Sequence, residues 1–144
     1  MPGPEVERLV ARVRQRARKQ LERLELAETG ADYELFRRAQ SLAGRYLPEA
    51  LPKLRSAAWS VQQSKRWGSC SGHSGDVRIS DRLRPLPRFV VDHVLVHELA
   101  HLLEPNHSPR FYRLVAAYPL AERARGFLLA IDLGFSSTAY TYGS

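Results

Sequence analysis

His97, Glu98 and His101 stand in the order His-Glu-Leu-Ala-His, and His107 follows six residues after the second histidine. On a helix of about 3.6 residues per turn, positions four apart share a face, so His97 and His101 would present both imidazoles to one point. Such a pair suits a Zn²⁺ ion, which takes histidine nitrogens at about 2.0–2.1 Å. Glu98 follows the first ligand directly, where a carboxylate can lie beside the ion without binding it and act as general base toward water. A third ligand requires the chain to turn back. Glu104-Pro105-Asn106 supplies that turn, because Pro105 disfavours helical geometry at Glu104 and Asn tolerates tight turns. Three histidines leave one coordination position open, which distinguishes a catalytic zinc from a closed structural one. The plain alternative is two core histidines beside a solvated glutamate. It leaves the ligand-base-ligand order and the third histidine unexplained.

The helix that must carry these residues is the run from Phe89 to Leu103, apolar nearly all round and therefore expected to be central. Ahead of it the pattern alternates. Ala58–Gln63 and Lys65–Cys70 read as short strands, Ser71–Asp76 as a turn, and Val77–Ser80 as a third strand. A small antiparallel sheet packed on the metal helix is the expectation. The N-terminal part reads as two helices, Glu5–Ala27 with Val6, Leu9, Val10, Val13, Ala17, Leu21 and Leu24 on its apolar stripe, and Asp32–Tyr46. Thr29-Gly30 and Leu47-Pro48 end them, and both helices are expected to cover one side of the core. Phe111–Ala117 and Ala121–Leu133 make two further helices, the last ended by Gly134. One domain over 1–144 is expected: helices over 1–56, sheet and metal-binding helical core over 57–134, and a frayed tail over 135–144.

The 144 residues suffice for one domain with a real core, and 44% hydrophobic with 26% charged residues excludes a disordered chain. No apolar run approaches the roughly 20 residues that span a bilayer, and the start lacks the pattern of a secretory signal. No membrane partner, a cytoplasmic location and a monomer are the expectations. Cys70 is the single cysteine, so no internal disulfide exists and the metal set is histidine-based. The net charge is +7 and the pI about 10.1, with Arg12, Arg14, Arg16, Arg18 and Lys19 concentrated in the first helix. That helix offers a surface for nucleic acid, but no nucleic-acid motif accompanies it, and a solvated helix face explains the charge more simply.

Lys65–Cys70 (KRWGSC), Val77–Leu83 (VRISDRL), His97–Leu102 (HELAHL) and Asn106–Tyr112 (NHSPRFY) together resemble the YgjP-like metal-dependent hydrolases, zincin-like proteins allied to the SprT-type metalloproteases. The resemblance spans most of the chain. It implies an α+β, zincin-like fold of minigluzincin type: N-terminal helices, a small sheet, an active-site helix and C-terminal helices. It also implies His97, His101 and His107 as ligands and Glu98 as the catalytic carboxylate. Ser80, Tyr112 and His93 depart from the family pattern, standing where Asn, Trp and an aromatic such as Tyr are usual. The long metzincin motif is rejected, since its glycine is Glu104 here and no methionine follows.

Other residues carry weaker expectations. His93 lies four residues before His97 and shares its face, as a partner of the ligands or a core histidine. Asp92 either orients a ligand or caps the early helix. Arg66 and Arg78 flank the sheet, where they would bind a substrate carboxylate or phosphate, or form ordinary salt bridges. His73 sits in a glycine-rich turn that either closes over the metal or leaves it exposed and inert. Tyr112 is a candidate oxyanion donor. Trp67 is read as a core anchor, and Gly68 as a point of close backbone approach.

The leading function is a zinc-dependent metallopeptidase acting on a peptide or protein substrate, with one Zn²⁺ per chain; Mn²⁺, Co²⁺ or Ni²⁺ also suit histidine sites. A second enzyme class is hydrolysis of nucleoside triphosphates at the same centre, with Arg66 or Arg78 gripping phosphate, although no Walker-type loop is present. A third is a SprT-like protease acting on nucleic-acid-bound substrates.

Overall fold

The computed structural model describes residues 3–61 and 66–134, and for residues 21–29 the backbone only. Five α-helices are described: α1 (Pro4–Thr29), α2 (Ala31–Tyr46), α3 (Arg88–His101), α4 (Pro109–Val115) and α5 (Ala121–Asp132). Three strands, β1 (Ser56–Ser60), β2 (Gly68–Ser71) and β3 (Asp76–Ser80), form one sheet in the order β1-β3-β2. Short 3₁₀ helices at Pro48–Lys53 and Asp81–Leu83 bracket the sheet in sequence. The expected strand residues Gln62, Gln63 and Lys65, and the expected tail over 135–144, lie outside the described residues.

The α+β class is as expected, but the sheet is mixed rather than antiparallel. β2 runs antiparallel to β3, whereas β1 runs parallel to it, with Ser56 beside Asp76 and Ser60 beside Ser80. The cause lies where β1 begins. Arg55 N–H donates to the Gly75 carbonyl at 2.8 Å and Ser56 N–H to the same oxygen at 3.3 Å, so β1 and β3 start side by side. Gly75 has φ +78°, and a Cβ there would stand 2.1 Å from the Lys53 carbonyl oxygen. Only glycine fits that crossing.

The second helix behaves as its pattern predicts: Leu35, Ala39, Leu42 and Ala43 are buried. Its first turn is tied to the sheet by Asp32, whose Oδ1 accepts from Trp59 N–H at 2.8 Å. The first helix does not cover the core over residues 4–20; the expected core residues Leu21 and Leu24 lie outside the described side chains. Every side chain described in it is exposed, including Val6, Leu9, Val10 and Val13. Its 26 residues, at about 1.5 Å each, span about 39 Å.

The third helix is the centre. Val90, Leu95, Val96, Leu99 and Ala100 have no exposed surface, and the helix packs against α2, α4, α5, β2 and β3. Asp92, 4% exposed, accepts from Arg38 Nε at 2.9 Å and from its Nη2 at 2.5 Å. That carboxylate therefore binds α2 to α3. It replaces the two roles expected for Asp92, orienting a ligand or capping the helix. Among the described residues, no helix is long and apolar enough to cross a membrane.

Candidate metal centre

The ligand helix α3 brings His97 and His101 onto one face one turn apart, with ring centroids 5.1 Å apart. It ends at His101, and the chain turns through Leu102–Asn106. The Glu104 N–H donates to the Ala100 carbonyl at 2.9 Å, and the Glu104 carboxylate accepts from Asn106 N–H at 3.3 Å. The turn returns His107 to within 5.7 Å of the His97 ring and 4.8 Å of the His101 ring. Ser108 then caps α4, its Oγ accepting from Phe111 N–H at 3.2 Å, with Pro109 in the first helical position.

His97, His101 and His107 are the one group of potential ligands among the described residues whose donor atoms could meet at a single ion, all lying within 4.8 Å of one another. The donor chemistry fits a transition metal such as zinc: three imidazoles and, among the described residues, no fourth protein ligand. His101 Nδ1 lies 3.1 Å from the Glu104 carbonyl oxygen. Donation there assigns the proton to Nδ1 and leaves Nε2 free to bind a metal. Burial, followed by the neighbouring histidines, pushes His97 down to about 4, so it is neutral near pH 7 as a ligand must be. Burial lowers His101 as well.

All three rings rest on Phe111. This side chain has no exposed surface, and its ring centroid lies 4.9, 4.3 and 5.0 Å from those of His97, His101 and His107. Sequence reasoning assigned Phe111 only to a helix. The usable signal was the Ser108-Pro109 helix start, which turns the third helical position inward beneath His107.

Glu98 is 5% exposed, and burial lifts its carboxyl to about 7 against the opposing pull of Arg66. Gly68 makes this burial feasible. A Cβ there would stand 3.0 Å from the Arg78 carbonyl oxygen, 3.1 Å from Val94 Cγ1 and 3.2 Å from Glu98 Cγ. Strand β2 therefore lies directly on α3 at the carboxylate. The close approach expected at Gly68 is present.

A cleft of about 1280 Å³ contains the three histidines and Glu98, with β2 as one wall and α4 and α5 as the other. Arg66 and Tyr112 line it, and both are exposed; the Tyr112 ring lies tilted over His107 with centroids 6.3 Å apart. Trp67 is partly buried, with Arg82 above its ring at 4.2 Å and its Nε1 donating to Asp132 at 3.4 Å. His93 is 6% exposed beside His97 and Tyr118, and its Nδ1 has no hydrogen-bond partner among the described residues. Arg78 and His73 are exposed and do not line the cleft. Cys70 lies in the β2 wall, where burial pushes its thiol up to about 12.

No curated protein and no solved structure matches the chain. The model of one family, described as YgjP-like, metallopeptidase domain, matches residues 11–126, from within α1 through the sheet, the three histidines and the first half of α5. On that span of sequence, which holds the three histidines and Glu98, the chain belongs to the YgjP-like metallopeptidase domain family.

Proposed function

We propose that the chain is a zinc-dependent peptidase, with His97, His101 and His107 holding one Zn²⁺ and Glu98 serving as general base. The observation that carries this reading is the convergence of three imidazoles in one cleft with a buried carboxylate on the same helix. The ion, when bound, supplies Lewis acidity and makes a water molecule more acidic. Glu98 takes a proton from the attacking water and returns it to the departing amine, a role suited to a carboxyl lifted toward neutrality by burial. Strand β2 is a sheet edge facing the cleft, so an extended peptide can add to it through main-chain hydrogen bonds. Tyr112, whose ring lies 6.3 Å from that of His107, would donate to the developing oxyanion.

Glu98→Gln is expected to retain zinc by metal analysis while cleavage of an unfolded protein falls by roughly 10²–10⁴-fold. A variant as active as the native protein overturns the assignment. One observation favours the nucleotide reading, Arg66 in the cleft wall. Pyrophosphate or phosphate release from a nucleotide panel, run beside the protein substrate, separates the two.

A further inference from the structure

The N-terminal turns of α1 stand clear of the fold. Val6, Leu9, Val10 and Val13 are 48, 55, 42 and 57% exposed, and all other described side chains of this helix are exposed as well. At 3.6 residues per turn the four aliphatic residues fall on one stripe. Arg8, Arg12 and Lys19 lie on the opposite side, and Arg14 and Arg16 on the two margins of the stripe. With Arg18 this makes six cations, and no acid, between residues 8 and 19. A stretch of helix uncovered on every side is marginal in water, and the four aliphatic residues in it do nothing for the core.

Three occupants differ in what they would use. A second copy would cover the stripe, but it would bring another six cations alongside these. The four aliphatic side chains on the described part of the stripe also offer far less than the roughly 800 Å² per partner of a stable interface. Nucleic acid would use the cations and leave the stripe in water. An anionic bilayer surface uses both: aliphatic side chains enter the boundary between headgroups and acyl chains, while arginines at the margins reach the phosphates. We propose that α1 is a peripheral docking helix for anionic phospholipid membranes, lying in the surface with Val6, Leu9, Val10 and Val13 turned toward the acyl chains. This is attachment without spanning, and it does not depend on the reaction proposed for the cleft.

The test is co-sedimentation of the full chain with phosphatidylcholine vesicles and with vesicles containing phosphatidylglycerol, at low and high salt. The native protein is expected to sediment with the anionic vesicles only, and less at high salt. The double variant Leu9→Asp/Val13→Asp should lose this binding. Arg14→Gln/Arg16→Gln should weaken it roughly thirtyfold. Both variants alter side chains outside the core, so an unchanged melting temperature and zinc content show that the fold is intact. No binding to anionic vesicles, equal binding to neutral ones, or undiminished binding by the stripe variant overturns the proposal. So does a vesicle-free dimer that the stripe variant dissolves, or tighter binding to duplex DNA that ignores the stripe.

Discussion

Phe111 shows how much of the centre depends on a residue with no donor of its own. Three imidazoles lean on its ring, so shrinking it frees them to reorient. Phe111→Leu is expected to cost about 1–2 kcal/mol in denaturant unfolding and, separately, to weaken zinc binding in a chelator competition. Retained affinity would show that the turn alone positions the ligands. Asp76 offers a pH test away from the cleft. The Ser56 hydroxyl, donating at 2.6 Å, is the main cause holding its carboxyl below the usual range, with Ser74 next. A carboxyl depressed in the folded state contributes stability above its unfolded value of about 3.9, and that contribution disappears as pH falls through the folded value. Ser56→Ala should therefore unfold at lower denaturant than the native protein at pH 7, with the gap closing in acid. At this scale the sequence was legible where helical spacing alone brings residues into one cleft, as at His97, Glu98 and His101. It was silent where a residue acts by shape, as Phe111 does, because an aromatic on a helix face reads the same whether it supports a ligand or fills a core.

The turn after α3 decides whether His107 can join the other two histidines. Glu104 serves that turn three times: its carbonyl faces His101 Nδ1, its carboxylate accepts from Asn106 N–H, and its Oε2 lies 3.6 Å from Arg110 Nη1. Glu104→Ala keeps the carbonyl but removes the other two contacts. Zinc affinity is expected to fall about tenfold, the lower end for partners that orient ligands, as read by competition with a chromogenic chelator. The apo melting temperature should stay nearly unchanged, since Arg110 is half exposed and an exposed pair adds little. Helix limits were legible to within a few residues, because Thr29-Gly30, Leu47-Pro48 and Ser108-Pro109 punctuate the chain locally. Strand direction was not. Alternation reveals which side chains share a face, whereas the parallel pairing of β1 with β3 is set by Gly75 receiving two N–H groups from a segment twenty residues away.

Across the whole molecule, the histidines join α3 to the segment that leads into α4, and α3 touches most other elements. An ion held there would act as a cross-link present only in the folded chain. At a thousandfold excess over its dissociation constant it adds about 4 kcal/mol. Stripping it with a chelator should then lower the melting temperature on the order of 10 °C and abolish cleavage, and zinc should restore both. Unchanged melting on chelation would argue against a resident ion. The misjudged role of α1 belongs to this scale too. Its spacing gives an amphipathic helix whether the apolar side meets a core or something outside the chain, and only the three-dimensional arrangement tells the two apart.

The cleft does not stop at the histidines. It continues along α5 past Glu122 and Arg125 to Leu129 and Asp132. For a peptidase, contacts that far from the scissile bond are made only by a chain several residues long, and the energy they release can be used to seat the bond for attack. Dipeptides would leave that trough filled with solvent. Turnover should then climb with the number of residues in the substrate, and equal turnover of dipeptides and long peptides would show that the trough takes no part.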